Sequence, residues 1–234
     1  MLELYFYPSP NGLKASIALE ECAAAYELRH VNILRGEQFL PAFLQISPNN
    51  KIPALRDTAP EGQAEPLAIF ESGAILVYLA EKFGRFLPSA LAPRFDCLQW
   101  LFWQVGGLGP MAGQAHHFRA FAPEVVPYGI KRYTDECNRL YGVLDRRLAD
   151  REFVATDYSI ADMAIWPWIV FHERQGQSLE SFPHIRRWFE LMRERPAVRR
   201  AYAIGHEQHA DAEAYRYLYG QTAATAGAVQ EQKQ

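Results

Sequence analysis

The chain contains little cysteine, with only Cys22, Cys97 and Cys137 among its 234 residues. These residues lie far apart, so they form neither a Cys-x-x-Cys pair nor a ligand set with the spacing of a zinc site. They do not suggest a disulfide framework either, which favours a reducing compartment such as the cytoplasm. We expect all three to be small buried residues. A thiol chemistry in this protein would therefore need a thiol that arrives with a ligand.

The sequence also lacks a strong charge of one sign and a long apolar run. Its formal net charge is -3 and it has no basic run, which argues against nucleic-acid binding. An apolar stretch of about 18 residues, the length of a membrane-spanning helix, is absent. The N-terminus begins directly with a strand pattern, so no signal peptide is expected. At 234 residues the chain could form one large domain or two small ones, and its 49% of hydrophobic residues is enough for a core.

The segment Tyr7–Lys14, with the sequence YPSPNGLK, separates a strand-like alternation from a helical pattern. Pro8 and Pro10 keep this loop out of both neighbouring elements. A loop at a helix N-terminus presents unpaired N–H groups and the positive end of the helix dipole, which favour an anion. We predict that Ser9 and Asn11 face a thiolate which the protein does not itself supply. Alternatively, both are ordinary turn residues.

Strand and helix patterns alternate through the first 83 residues. After the first helix the order is strand, irregular helix, strand, strand and helix, which indicates a small mixed sheet with helices on its faces. Pro53 stands at the start of a strand and is a candidate cis peptide. Glu71 and Ser72 open the last helix of this series, which Gly84 is expected to end. This pair of residues alone could be no more than a helix cap.

Only helical patterns follow residue 93. Residues 84–93 are predicted to be a linker, and the segment Gly106–Pro110 should bend or break the helix that contains it. Ser159 and Asp162 predict a capping box, which opens an almost wholly apolar helix at the centre of a second domain. We therefore predict one domain at 1–83, a helical domain at 94–219 and a disordered tail at 220–234.

Four motifs together resemble the glutathione transferase superfamily and, within it, the bacterial Nu class. They are SPNG, SPNNKIP, FESGAI and the long run LQWLFWQVGGLGPM. The resemblance extends from residue 1 to about 205. It implies an α/β plus all-α protein, with a thioredoxin-like N-terminal domain (βαβ-ββα) followed by an all-helical C-terminal domain. Ser9 stands where Nu-class members often carry threonine, and this exchange keeps the hydroxyl.

The resemblance also implies a glutathione site. Ser9 and Asn11 would donate hydrogen bonds to the glutathione sulfur and lower its thiol pKa. Ile52, before a cis Pro53, would pair its backbone with the cysteinyl part of the tripeptide. The remaining implied contacts are Glu71 and Ser72 for the γ-glutamyl end, Lys51, Asn50 and Gln38 for the glycyl carboxylate, and Gln104 and Arg132 from across a dimer interface.

The activity implied is glutathione-dependent disulfide reduction by a cytoplasmic homodimer that binds glutathione disulfide or two glutathiones. One thiolate would attack a disulfide sulfur and a second thiol would resolve the mixed disulfide. The second substrate would be a small disulfide, or a peroxide or electrophile in weaker side activities. Two alternatives are a conventional transferase that conjugates electrophiles, and a noncatalytic relative that binds glutathione or a protein.

No metal is expected. The adjacent residues His116 and His117 point in different directions on a helix, and no carboxylate is spaced to join them. We expect them to border the electrophile pocket or to lie on the surface.

Overall fold

A computed structural model describes residues 1–206 of the chain. The end of the predicted helical domain, residues 207–219, and the predicted tail from residue 220 lie outside the described residues. Within residues 1–206, none of the helices combines the length and hydropathy that crossing a membrane requires.

The first part of the chain forms a four-stranded sheet flanked by helices, in the predicted order. Its elements are β1 (Leu2–Phe6), α1 (Pro10–Glu21), β2 (Tyr26–His30), α2 (Pro41–Leu44), β3 (Ala54–Asp57), β4 (Leu67–Phe70) and α3 (Ser72–Phe83). The irregular helix predicted between β2 and β3 consists of two 3₁₀ turns, Ile33–Arg35 and Glu37–Phe39, followed by the short α2.

The sheet has the strand order β2-β1-β3-β4, with β1 parallel to β2 and β3 antiparallel to both of its neighbours. The alternation in β1 places Leu2, Leu4 and Phe6 in the main core with α1 and α3. Tyr5 points to the opposite face, where its ring lies 6.0 Å from that of Phe43 in α2. Because apolar side chains of β1 point alternately to the two faces of the sheet, helices can pack on both faces.

The register brings three loops to one edge of the sheet. Tyr5 pairs with Ala54, and Ala54 pairs with Phe70. The segment after β1, the segment before β3 and the segment after β4 therefore meet at the same edge. This edge carries the predicted site.

The second part of the chain is helical as predicted, and it has no strand between residue 84 and residue 206. Its α-helices are α4 (Leu91–Trp103), α5 (Gly109–His116), α6 (Pro127–Arg147), α7 (Ile160–Ile169), α8 (Pro183–Arg193) and α9 (Pro196–His206). Because α4 begins at Leu91, the last three residues assigned to the linker are helical.

The segment Gly106–Pro110, predicted to bend or break the helix, ends the regular α-helix α4 but does not break the helical path. The chain passes from α4 into α5 through a π turn, Gln104–Leu108, in which the Gly109 N–H donates to the Gln104 carbonyl. Pro110 falls in the first turn of α5, directly after this π turn. A second π turn, His117–Phe121, continues the helical path.

The two parts of the chain share one core. Every residue of α7 is buried, which confirms its predicted central place. The helix α1 packs on α7 and α9, and α3 also packs on α7. At the margin, Arg195 contacts both carboxylate oxygens of Glu21 at 2.7 and 3.0 Å and lies 3.5 Å from the Tyr158 ring centroid. Apolar burial and a half-buried ion pair therefore hold the domains together.

Candidate active site

A polar cleft of about 150 Å³ opens at the edge of the sheet where the three loops meet. Its lining combines six of the predicted site residues with three that were not predicted. The predicted residues are Asn11, Lys51, Ile52, Pro53, Glu71 and Ser72, and the others are Ser47, Asn49 and Phe70.

Asn11 lies in the first turn of α1, and its side-chain oxygen accepts a hydrogen bond of 3.1 Å from the indole N–H of Trp168. An indole nitrogen can only donate, so the amide oxygen must face Trp168. The NH₂ group of Asn11 is then turned away from α7, and Asn11 lines the cleft. Asn11 therefore offers hydrogen-bond donors to a ligand in the cleft.

Ser9 is the N-cap of α1, and its hydroxyl oxygen accepts from the Gly12 N–H at 3.1 Å. It is half-buried beside the cleft and is not one of the residues that line it. Capping uses a lone pair and leaves the hydroxyl proton for another acceptor. The first turn of α1 holds no acidic residue, so its positive dipole end is not neutralised locally.

The peptide bond between Ile52 and Pro53 is cis, as predicted. The loop before it is fixed by the buried Ser47, whose hydroxyl donates to the Lys51 carbonyl at 2.8 Å. Within residues 1–206, no partner takes up the backbone N–H or carbonyl of Ile52. An extended peptide could therefore pair with Ile52 in the manner of an added strand.

Glu71 is exposed and has a φ of 71°, a region that non-glycine residues rarely adopt. It precedes α3 and makes no side-chain capping bond, so the alternative of a simple helix cap does not account for it. Ser72, the first residue of α3, is buried and lines the cleft. Glu71 and Ser72 therefore present a carboxylate, a hydroxyl and a helix N-terminus to one end of a bound ligand.

Lys14 lies behind Ser72 and was not predicted as a site residue. It is 1% exposed, and its ammonium group donates to Ser72 Oγ at 3.3 Å and to Gln104 Oε1 at 2.5 Å. Burial lowers the pKa of Lys14 to about 7, and the nearby Glu71 carboxylate opposes this shift.

The structure corrects the prediction for Gln104. This side chain is fully buried inside its own chain, where it accepts a hydrogen bond from Lys14. It cannot reach a ligand in a partner subunit. Sequence analysis does not predict this burial, because glutamine side chains are mostly exposed.

Three other predicted residues lie outside the cleft lining. Gln38 is buried and donates to the Ile33 carbonyl at 3.1 Å. Asn50 is half-buried with a φ of 50°. Arg132 is exposed on α6, in a separate surface groove whose other residues are Tyr128, Lys131, Asp135, Glu136 and Arg139.

His116 lies inside an aromatic cluster, with its ring 4.7 Å from Phe121 and 6.1 Å from Phe171. Burial, with Arg174 nearby, lowers the pKa of His116 to about 4. His117 is half-buried. Neither histidine lines the cleft.

All three cysteines are buried and free, as the sequence predicts. Burial raises the pKa of the Cys22 thiol to about 11 and that of Cys137 to about 12, and it raises the pKa of Cys97 as well. A thiolate is the nucleophilic form of cysteine. These protonated, inaccessible thiols are therefore poor nucleophiles.

Comparison with known families gives two matches. Residues 1–81 match the N-terminal domain of glutathione S-transferase, and residues 110–196 match its C-terminal domain. The disulfide-bond oxidoreductase YfcG of Escherichia coli K12 is 52% identical over 202 residues, which cover 86% of this chain and 94% of that protein.

Solved structures with the same fold contain ligands. A glutathione transferase from Pseudomonas putida, with one glutathione disulfide bound per subunit, is 44% identical with a TM-score of 0.83, over 87% of this chain and 91% of that one. A glutathione transferase family member from Pseudomonas fluorescens Pf-5, with two glutathione bound, is 43% identical with a TM-score of 0.81, over 86% and 92%.

Proposed function

The chain belongs to the glutathione S-transferase family, and on that premise we propose that it reduces disulfides with the thiolate of bound glutathione. One observation carries the proposal: the donor group of Asn11, oriented by Trp168, faces a cleft in a chain whose own thiols are buried and protonated. The name of the E. coli relative and the glutathione disulfide in the P. putida structure support it.

In this proposal the cleft holds glutathione along the edge of the sheet. Ile52 pairs with the cysteinyl backbone, and Glu71 and Ser72 bind the γ-glutamyl ammonium and carboxylate. Lys51, with Asn50 and Gln38, serves the glycyl carboxylate. Residues 1–83 then form the glutathione-binding domain, and the helical domain from residue 94 supplies Trp168.

The chemistry consists of two thiol–disulfide exchanges. A glutathione thiolate attacks one sulfur of the substrate disulfide, which forms a mixed disulfide and releases a substrate thiolate that takes up a proton. A second glutathione thiolate attacks the glutathione sulfur of the mixed disulfide. Glutathione disulfide and the second substrate thiol leave, so the two electrons come from two glutathione thiols. Asn11 and Ser9 stabilise the attacking thiolate.

We also propose that the protein acts as a homodimer in the cytoplasm. Large apolar side chains are exposed on α4 and α6, which fits a covered interface. They are Leu91, Phe95, Phe102 and Tyr128. In the groove on α6, Lys131 pairs with Asp135 and Arg139 with Glu136, whereas Arg132 has no ion-pair partner within the described chain. Arg132 is thus available to a glutathione in the partner subunit.

Reduction of 2-hydroxyethyl disulfide, coupled to glutathione reductase, tests the proposal against the alternatives. We expect turnover on this disulfide to exceed conjugation of an aryl halide and reduction of a peroxide. The binding of glutathione disulfide is measured in parallel by calorimetry. Tight binding without turnover on any of the three substrates would instead indicate a noncatalytic binding protein.

Replacing all three cysteines by alanine is expected to leave kcat/KM for the disulfide within about twofold of the wild type. The variant should unfold at lower denaturant concentration, because Cys97 and Cys137 are fully buried and truncation leaves small cavities. Rates are normalised to the glutathione-binding sites measured by calorimetry. Loss of most of the activity per intact site would show that a protein thiol is the nucleophile.

Replacing Trp168 by phenylalanine is expected to lower kcat/KM by about threefold to tenfold, which corresponds to loss of one buried hydrogen bond. The Asn11 amide would then be free to turn its donors away from the sulfur. Trp166→Phe is the matched control, because Trp166 lies on the same helix as Trp168 and its indole N–H donates at 3.1 Å to the carbonyl of Phe189 on α8. Equal losses of kcat/KM in the two variants would refute a specific role for Trp168.

A further inference from the structure

Lys14 is a buried cation without a matching anion. Its ammonium group lies between two neutral oxygens, those of Ser72 and Gln104, and no carboxylate within the described chain forms an ion pair with it. A buried charge of this kind is unfavourable unless an opposite charge approaches. The position of Lys14 directly behind a cleft residue indicates where that charge would come from.

The Lys14 ammonium group determines the hydrogen-bonding role of the Ser72 hydroxyl. An ammonium can only donate, so the Ser72 oxygen accepts from it and the hydroxyl proton points elsewhere. Ser72 lines the cleft at the first position of α3, where the helix dipole also favours an anion. Lys14 thus turns Ser72 into a donor for a carboxylate in the cleft.

The charged groups on the elements around α1 do not neutralise Lys14. Glu71, directly before α3, is a carboxylate that favours the charged form of Lys14, but it is exposed and forms no ion pair with the ammonium group. On α7, Asp162 accepts hydrogen bonds from Val154 and Trp188 instead. The remaining charges on β1, α3 and α9 have partners of their own: Glu3 with Arg29 and Arg56, Glu81 with Arg94, Lys82 with Asp57, Arg199 with Glu194, and Arg200 with Glu20.

We propose that Lys14 is a positioning residue for the α-carboxylate of the γ-glutamyl group, which it recognises through Ser72 and whose charge it balances from inside the protein. The proposal rests on the proposed function for the identity of the ligand. It adds that the domain interface takes part in recognition, because Gln104 of the helical domain anchors the ammonium. It also implies that a carboxylate in the cleft favours the charged form of Lys14, so that binding takes up a proton near neutral pH.

Two matched ligands test the recognition step by isothermal titration calorimetry. S-methylglutathione carries the α-carboxylate, and S-methyl-4-aminobutanoyl-cysteinylglycine lacks only that group. Because both sulfurs are blocked, no thiol proton contributes. The wild type is expected to prefer S-methylglutathione by about 10- to 100-fold, the range of a hydrogen bond to a charged group. In Lys14→Met this preference should fall at least fivefold, with the affinity for the second ligand nearly unchanged.

Proton uptake gives a second readout. At pH 7.5 the binding enthalpy of S-methylglutathione to the wild type should differ between phosphate and Tris buffers by the amount that corresponds to net proton uptake. The second ligand should show no such difference, and neither should Lys14→Met with either ligand.

The outcomes separate this inference from the proposed function. If the wild type fails to bind S-methylglutathione, both are wrong. If it binds but folded Lys14→Met keeps more than one fifth of the wild-type preference, only the role of Lys14 is wrong.

Discussion

Replacing Asn11 by alanine is expected to lower kcat/KM for 2-hydroxyethyl disulfide by about 10- to 100-fold, because the glutathione thiolate loses a charge-assisted hydrogen bond. The Trp168 contact leaves the amide oxygen unable to face the sulfur, so the whole donor capacity of Asn11 is directed at the cleft. The measurement is the coupled disulfide assay at saturating and limiting glutathione.

The pH profile of this variant identifies the cause of the loss. Without the donor, the pKa of the bound thiol should rise, since hydrogen bonds to a thiolate favour the charged form. The thiolate fraction then falls at neutral pH and recovers above the raised pKa. The deficit of Asn11→Ala should therefore shrink as the pH increases. A constant deficit at every pH, or a loss of less than about threefold, would contradict a role in activating the thiol.

Asn11→Asp is the matched control for geometry. The aspartate keeps an oxygen for the Trp168 indole N–H but replaces the donor NH₂ with an acceptor that is negatively charged. A negative charge beside the sulfur raises the thiol pKa further than simple loss of the donor does. We therefore expect Asn11→Asp to be slower than Asn11→Ala, although it retains the contact with α7.

Local signals explain why so much of the fold could be predicted. The alternation of Leu2, Leu4 and Phe6 is a property of neighbouring residues, and so are the capping box and the apolar run of α7. The motifs around Asn11, Pro53 and Glu71 are local as well. The strand register then brings them together at one edge of the sheet.

The parts of the site that sequence analysis did not predict are contacts between segments that lie far apart in the sequence. Asn11 and Trp168 are 157 positions apart, and Lys14 and Gln104 are 90 apart. No periodicity links such pairs. A lysine in a helix is also expected to face water, whereas all residues of α1 from Gly12 to Leu19 are buried because the helix is covered by the sheet, α3, α7 and α9.

The continuation of the helical path through Gly106–Pro110 has a different cause. Glycine and proline lower the intrinsic stability of a helix, but tertiary packing decides whether the helix persists. Leu108 and Gly109 are buried. A Cβ atom added to Gly109 would lie 2.7 Å from the side-chain amide nitrogen of Gln104. The glycine therefore makes room for the residue that anchors Lys14.

Asp162→Ala is expected to lower the free energy of unfolding by about 3–5 kcal/mol, the largest stability effect we predict. Its carboxylate is fully buried and accepts four hydrogen bonds between 2.9 and 3.1 Å, from Val154 N, Ser159 N, Ser159 Oγ and Trp188 Nε1. Alanine would leave three buried N–H groups without an acceptor. Urea unfolding at a fixed protein concentration measures the loss, since any dimerisation shifts the midpoint.

Asp162→Asn separates the hydrogen bonds from the charge. It keeps one oxygen for Val154 and Trp188 but turns an NH₂ group towards the Ser159 N–H, so we expect the free energy of unfolding to fall by about 1.5–3 kcal/mol.

Burial raises the pKa of Asp162 from 3.8 to about 6, so the folded state binds its proton more tightly than the unfolded state. The contribution of this group to stability should therefore fall as the pH rises from about 4 to 6. The stability gap between wild type and Asp162→Asn should narrow over the same interval, and a gap that widens would show that the ionised carboxylate is the form the fold prefers.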